Sequence, residues 1–153
     1  LIVAGQPLDF SPYRRQIEKL ALNERIMLDL RYIPSEDLAR YFSSADVVVL
    51  PYRRAYQSGV LQLAYAFGRP VVVTEVGDMA EAVGEDKTGL VAPPSDVDGL
   101  AAAIRSILSD PHSAALMGDR GRRLAETKYS WAGIVQTVIG VYESIRSVAP
   151  LTG

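Results

Sequence analysis

Short apolar runs alternate along this chain with segments whose apolar residues recur every three or four positions. The runs LIVAG, IMLDLR, DVVVLPY, RPVVVTE and GLVAP predict five strands. Helical spacing predicts helices between them, over residues 11 to about 22, 34–45 with Ser35 as N-cap, 60–68 and about 79–83. Strands that are apolar on both faces and separated by helices are typical of a parallel sheet covered on both sides. We therefore predict an α/β fold with a doubly wound, Rossmann-like parallel sheet.

The last third of the chain has a helical pattern instead. One helix is predicted from residues 95–96 to about 108, and a second over 110–129, broken or weakened near Gly118 and Gly121. A third is predicted over 130–148. Its apolar stripe predicts packing outside the sheet's own core, with ordinary packing inside this domain as the alternative; the stripe consists of Trp131, Ile134, Val135, Val138, Ile139 and Tyr142.

The length of 153 residues is enough for one domain with a core, and we expect residues 1–153 to form a single domain. The chain opens directly on the apolar run LIVAG, without an initiator methionine. We interpret it as a fragment of a longer protein, with a processed natural terminus as the alternative. Uncovered apolar surface on such a fragment makes self-association an expected property.

Composition narrows the range of functions. Apolar residues make up 48% and charged residues 22%, as in ordinary globular domains, and the net charge of −2 offers no basic field for nucleic acid. Without cysteine the chain has no disulfide or thiolate chemistry. The single histidine, His112, lies in a polar stretch and is interpreted as a solvated residue. Residues 1–153 contain no apolar run of membrane-spanning length and no charged-then-apolar pattern before a cleavage site, and no residue pattern calls for a metal or a cofactor.

Ligands of open α/β sheets bind beyond the carboxyl ends of the strands, so the turns after strands are the candidate sites. Gly5 could let a ligand approach the backbone, although a plain turn explains it equally well. The second turn contains Arg31, Tyr32 and Ile33. Pro34 holds Ile33 extended, and extended backbone can offer N–H and C=O groups to the edge of a base. A tight loop before a capped helix is the alternative.

The third turn is the most informative, because a nearly all-apolar helix follows a polar Gln57-Ser58-Gly59-Val60. Ser58 can cap that helix, Gly59 removes side-chain bulk, and first-turn N–H groups together with the helix dipole favour an anion such as phosphate. Arg53 and Arg54, just upstream, favour phosphate further. An ordinary capped turn with a solvated loop is the alternative.

Several segments, in a consistent order over nearly the whole chain, resemble a known family. They are LIVAG, YIPSEDLARYFSSADVVVLPY, QSGVLQLAYAFGRPVVVTEVGDMAEAV, KTGLVAPPSDVDGLAAAI and YSW. Together they are similar to the C-terminal half of the retaining glycosyltransferases of group 1, or family 4, which have the GT-B fold. The resemblance implies that this half binds the nucleotide-diphosphate sugar. Backbone around Tyr32 and Ile33 would hold the base, and the amides of Ser58, Gly59 and Val60 the distal phosphate.

Two departures from the family pattern matter. The family commonly has two glutamates eight positions apart, and the corresponding residues here are Ala55 and Leu63. Either Gln57 and Tyr56 hold the donor differently, or activity has drifted. The family's diphosphate-neutralising Arg and Lys lie in a first strand–helix unit that would precede LIVAG, so the chain is expected to lack that unit.

The resemblance implies glycosyl transfer with retention, from a nucleotide-diphosphate sugar to an unknown acceptor. It also implies a partnership with the N-terminal half of the same protein, without which this chain is expected to be inactive. The alternatives are a sugar-nucleotide epimerase or phosphorylase of the same architecture, and a non-catalytic module that binds a sugar nucleotide or a protein. The expected location is the cytoplasm, with peripheral membrane contact through the other half as a variant.

Overall fold

The structure, a computed structural model, describes residues 1–54 and 58–148, with side chains up to residue 144. It divides into two compact units, unit 1 (Leu1–Tyr41) and unit 2 (Phe42–Gly153). Strands alternate with helices and every strand pair is parallel, which confirms the predicted α/β class.

Unit 1 contains two short parallel strands, β1 (Ile2–Ala4) and β2 (Met27–Asp29), in the register Ile2 to Met27. Between them lie the helix α1 (Ser11–Lys19) and a 3-10 turn (Asn23–Arg25). The helix ends before the predicted residue 22, because the backbone turns at Ala21, where φ is 51°. None of residues 1–41, all of which the structure describes, is buried.

The helix α2 (Ser35–Ser44) crosses the boundary between the units. It begins at Ser35 itself, so that Ser35 lies inside the first turn and not at the predicted N-cap position.

Unit 2 has a three-stranded parallel sheet in the order β3-β4-β5, formed by β3 (Val48–Leu50), β4 (Val71–Thr74) and β5 (Gly89–Ala92). Each connection contains a helix, α3 (Gly59–Ala66) or α4 (Gly77–Asp86). All four residues of the central strand β4 are buried, which explains why its sequence is apolar on both faces.

Three helices follow the sheet, as predicted: α5 (Val97–Ser109), α6 (Pro111–Glu126) and α7 (Trp131–Val148). Asp96 caps α5 by accepting a hydrogen bond from Gly99 N–H at 2.9 Å. His112 lies exposed at the start of α6. Over the described part of the chain, no helix combines the length and apolarity needed to cross a bilayer.

The predicted break in α6 is wrong, because the helix runs through Gly118 and Gly121 without interruption. Both glycines are buried against α3 and the turn that follows it. A Cβ at position 118 would lie 2.1 Å from the Gly68 carbonyl oxygen, and one at position 121 would lie 2.8 Å from Tyr65 Cδ1. The glycines therefore permit close helix packing without interrupting the helix.

The apolar stripe of α7 is exposed, as the prediction of packing outside the core requires. Trp131 is 83% exposed and Tyr142 is 71% exposed. The other stripe residues are between 42% and 49% exposed: Ile134, Val135, Val138 and Ile139.

Candidate functional site

The helix α3 begins on the chain segment that leaves the carboxyl end of β3. Ser58 has extended backbone angles (φ −136°, ψ 113°) and occupies the N-cap position, which confirms that prediction. Its hydroxyl and carbonyl oxygens both accept from Leu61 N–H, at 3.4 Å and 3.1 Å. Among the described residues, the N–H groups of Ser58, Gly59 and Val60 have no acceptor. Within the described part of the chain, three donors at the positive end of a helix dipole are thus without a partner.

Space is open in front of this helix end. A Cβ built at Gly59 meets no described atom within 4 Å, and Gly59 and Val60 are exposed. The rest of the helix is anchored in the core through Leu61, Ala64 and Tyr65. The exposed donors therefore stand on a firmly packed helix.

Two residues that sequence reasoning missed support the loop before α3. Thr74, at the end of β4, donates from Oγ1 to the Tyr52 carbonyl at 2.5 Å. The Tyr52 hydroxyl in turn lies 3.4 Å from Ser58 Oγ. The available sequence signal was a buried threonine closing the run VVVT, since a buried hydroxyl requires a partner.

The remaining phosphate candidates divide into two groups. Arg53 and Arg54 are exposed, and neither takes part in an ion pair with another described residue. Tyr56 and Gln57, like Ala55, lie outside the described residues.

The base-binding candidates lie in unit 1, at the carboxyl end of β2. The Arg31 guanidinium is engaged by three protein groups: Nε lies 3.0 Å from Asp29 Oδ1, one terminal nitrogen 2.7 Å from Asp37 Oδ2, and the other donates to the Tyr32 carbonyl at 3.4 Å. The Tyr41 hydroxyl donates to the second oxygen of Asp29. A network of side chains therefore surrounds the loop.

The charges in this network stabilise one another. The hydrogen bond from Tyr41, and after it the Arg31 guanidinium, hold the pKa of Asp29 below its ordinary value. The same hydrogen bond raises the pKa of Tyr41, since ionising the phenol would place a negative charge beside the carboxylate. The bond to Asp37, followed by that to Asp29, raises the pKa of Arg31.

The backbone beside this network is available for contact. The Tyr32 side chain is 71% exposed, and the N–H groups of Tyr32 and Ile33 have no acceptor in the part of the chain that the structure describes. Gly5, the remaining candidate, has a φ of 138° that suits glycine, and its N–H donates to the Asp29 carbonyl at 3.0 Å. The structure thus places Gly5, Tyr32 and Ile33 at the ends of the two strands of unit 1.

Comparison with known sequences gives a family match. The family model described as "Glycosyl transferases group 1" matches residues 1–110. A GDP-mannose-dependent alpha-(1-6)-phosphatidylinositol monomannoside mannosyltransferase of Mycolicibacterium smegmatis is 34% identical over 137 residues, which are 85% of this chain and 35% of that protein. The chain thus spans about a third of the length of this curated relative.

Solved structures have the same fold. Sucrose-phosphate synthase from Thermosynechococcus elongatus superposes with a TM-score of 0.78 at 28% identity, over 97% of this chain and 38% of that one. The Anabaena HepE protein in complex with UDP superposes with a TM-score of 0.81 at 21% identity, over 94% of this chain and 40% of that one.

Proposed function

Because the chain belongs to the group 1 glycosyl transferases and corresponds to the C-terminal half of their GT-B fold, we propose that it binds a nucleotide-diphosphate sugar for glycosyl transfer with retention. The observation that carries the proposal is that the N–H groups of Ser58, Gly59 and Val60 have no acceptor among the described residues, and that a Cβ at Gly59 would meet no described atom within 4 Å. The acceptor, the sugar and the base are left open.

The helix end suits the distal phosphate of the donor. Each hydrogen bond from an amide to an anion is worth about 1.5–3 kcal/mol net, and the helix dipole adds to the attraction. Arg53 and Arg54 supply positive charge on the same loop, and Gln57 adds a polar group. Stabilising the departing nucleotide diphosphate is then mainly electrostatic, as expected for leaving groups that carry developing negative charge.

The backbone at Tyr32 and Ile33, whose N–H groups have no acceptor among the described residues, suits the edge of the nucleobase. Extended backbone offers both a donor and an acceptor, which is what base edges require. Among the relatives, one is named for GDP-mannose and another is described in complex with UDP. The diphosphate, and not a particular base, is therefore the chemistry that we assign to this chain.

The substitutions at Ala55 and Leu63 favour a second candidate function. Neither side chain can offer a carboxylate to the sugar or the ribose, so a module that binds a sugar nucleotide or a protein without catalysis is the rival. An epimerase or phosphorylase of the same architecture is a further enzymatic rival. Assays of the full-length protein with sugar nucleotides separate them, since a transferase forms glycosylated acceptor and an epimerase changes the sugar of the free nucleotide.

The remaining proposals concern the whole protein. We propose that the N-terminal half of the same protein provides the acceptor site. We also propose that residues 1–153 form one domain together with a strand–helix unit that precedes Leu1. In support, unit 1 has a groove of about 300 Å³ with apolar lining, at Leu1, Val3, Phe10, Tyr13, Gln16, Ile17, Leu20, Leu22 and Ile26. We also propose a cytoplasmic location, with peripheral membrane contact through the other half as a variant.

Replacing Gly59 by valine tests the phosphate site in the full-length protein. The added side chain enters open space, so the fold is retained while the anion can no longer approach the helix end. We expect titration calorimetry to detect UDP or GDP binding to the original protein, much weaker binding of the nucleosides, and no nucleotide binding to Gly59→Val.

Gly84→Val is the matched control, because a Cβ at Gly84 in α4 also meets no described atom within 4 Å. It should bind nucleotide as the original does. Ser58→Ala should cost only about 1 kcal/mol of helix capping. Unchanged UDP and GDP affinity in Gly59→Val would place the phosphate elsewhere.

A further inference from the structure

The side chain of Arg31 links three separate segments of unit 1. Its guanidinium contacts Asp29 at the end of β2, the Tyr32 carbonyl in the following loop, and Asp37 in the first turn of α2. All three contacts come from one rigid planar group. The loop that presents Tyr32 and Ile33 is therefore fastened to the elements on both sides.

The partners of Arg31 are themselves held in place. Asp29 accepts a hydrogen bond from the Tyr41 hydroxyl through its second oxygen, and its backbone carbonyl accepts from Gly5 N–H. Asp37 lies on α2, where Arg40 approaches its other oxygen only to 3.8 Å. Asp29 and Asp37 thus form two fixed points, 3.0 Å and 2.7 Å from the guanidinium.

We propose that Arg31 is a positioning residue, whose bonds to Asp29 and Asp37 fix the Tyr32–Ile33 backbone for recognition of a nucleobase edge. This rests on the proposed function, and it changes the role of Arg31 from contact with the base to support of the loop. All three nitrogen atoms of the Arg31 side chain already contact protein oxygens, which holds the guanidinium in one orientation. The N–H groups of Tyr32 and Ile33, which have no acceptor among residues 1–54 and 58–148, make the contact instead.

Four variants of the full-length protein test the proposal: Arg31→Lys, Asp37→Asn, the double variant, and Arg40→Gln. Lysine keeps the charge but lacks the planar fork through which Arg31 contacts two carboxylates and a carbonyl. The probes are UDP, GDP and inorganic pyrophosphate, with dissociation constants from calorimetry and thermal unfolding measured in parallel. Arg40→Gln is the matched control, since the Arg40 side chain lies on α2, as Asp37 does, and is 76% exposed.

Arg31→Lys and Asp37→Asn should each weaken binding of the preferred nucleotide on the order of tenfold, the equivalent of one lost hydrogen bond. The preference between UDP and GDP should fall, pyrophosphate binding should be unchanged, and the double variant should be no worse than either single one. Arg40→Gln should stay within about twofold of the original.

Other results overturn the proposal in distinguishable ways. If Asp37→Asn binds nucleotide normally while Arg31→Lys does not, Arg31 touches the ligand directly. If pyrophosphate binding falls as much as nucleotide binding, the loss is general loosening of the fold. If both variants match the original protein, the network has no role in binding. If the original protein binds no nucleoside diphosphate, tested with each of the common bases, the proposed function fails and takes this inference with it.

Discussion

Tyr65 shows at the residue scale how one buried hydroxyl is accommodated in unit 2. Its side chain is fully buried, and its hydroxyl lies 2.7 Å from Thr88 Oγ1, also fully buried. Burial raises the pKa of Tyr65 to about 12, although the hydrogen bond to Thr88 opposes the shift. The neutral phenol is thus strongly favoured in the folded state.

This shift predicts a loss of stability in alkali. In the unfolded chain a tyrosine ionises near pH 10, whereas folded Tyr65 keeps its proton up to about pH 12. Its contribution is therefore complete below pH 10 and is lost as the pH rises to 12. The difference corresponds to about 3 kcal/mol, at about 1.4 kcal/mol for each pKa unit.

Urea unfolding at several pH values between 9 and 12 measures this effect. Tyr65→Phe should be less stable at pH 8 by about 1–3 kcal/mol, because Thr88 loses its partner, but its stability should fall less steeply with pH. Tyr142→Phe is the control, since that side chain is 71% exposed, and it should follow the original curve. Parallel curves for Tyr65→Phe and the original protein would contradict the prediction.

At the scale of elements, the packing of α6 against α3 depends on two glycines at which the sequence predicted a broken or weakened helix. Gly118 lies against the backbone of Gly68, and Gly121 lies against the ring of Tyr65. Helix propensity disfavours glycine in a helix interior by about 1 kcal/mol. Here the close approach of two helices outweighs that cost.

Gly118→Ala should therefore destabilise unit 2 although alanine is the better helix former. The new Cβ would lie 2.1 Å from a backbone oxygen, which cannot move independently of the turn. We expect a loss of about 1–3 kcal/mol in the free energy of unfolding, as for other overpacked sites. Gly84→Ala in α4, where a Cβ meets no described atom, should instead gain about 0.5–1 kcal/mol. Equal effects in the two variants would show that helix propensity alone decides.

Elements were more predictable than the contacts between them. The spacing of apolar residues along the chain predicted each strand and α-helix, because burial on one or two faces of an element imposes that spacing. The Thr74–Tyr52 bond was not predictable, because it joins residues 22 positions apart and depends on the register of β3 with β4. The Arg31 network escaped prediction for a similar reason, since side-chain direction decides whether Asp29 and Asp37 both reach one guanidinium.

The candidate site was predictable only where chemistry is local. Ser58 caps α3 as its type and position suggested, and Gly59 has open space beside it. The length of α4 was underestimated, since Gly77–Asp86 exceeds the predicted residues 79–83. The first turn of α4 has little apolar periodicity, and its first residue, Gly77, has a positive φ of 56°.

At the scale of the whole molecule, this chain corresponds to 35% of the mycobacterial mannosyltransferase that it matches. The 153-residue chain should by itself transfer no sugar, because we assign the acceptor site to the other half. A radiolabelled transfer assay on the purified chain, with the full-length protein as positive control, measures this. Transfer by the isolated chain would refute the assignment of the acceptor site to the N-terminal half.

The exposed stripe of α7 leads to the last prediction. Trp131, Ile134 and Ile139 belong to a row of apolar side chains that a protein surface seldom leaves open to water. We propose that the N-terminal half packs against this stripe in the full-length protein. The isolated chain should therefore associate with itself through the same stripe. Sedimentation should give a mass that rises with concentration. Because Trp131 is the single tryptophan, its emission should shift to the blue in parallel.

Ile139→Glu should suppress both effects, whereas Leu116→Glu, at a 43% exposed position on α6, should not. A monomer at every concentration, with constant Trp131 emission, would show that the stripe stays exposed to solvent and does not drive association.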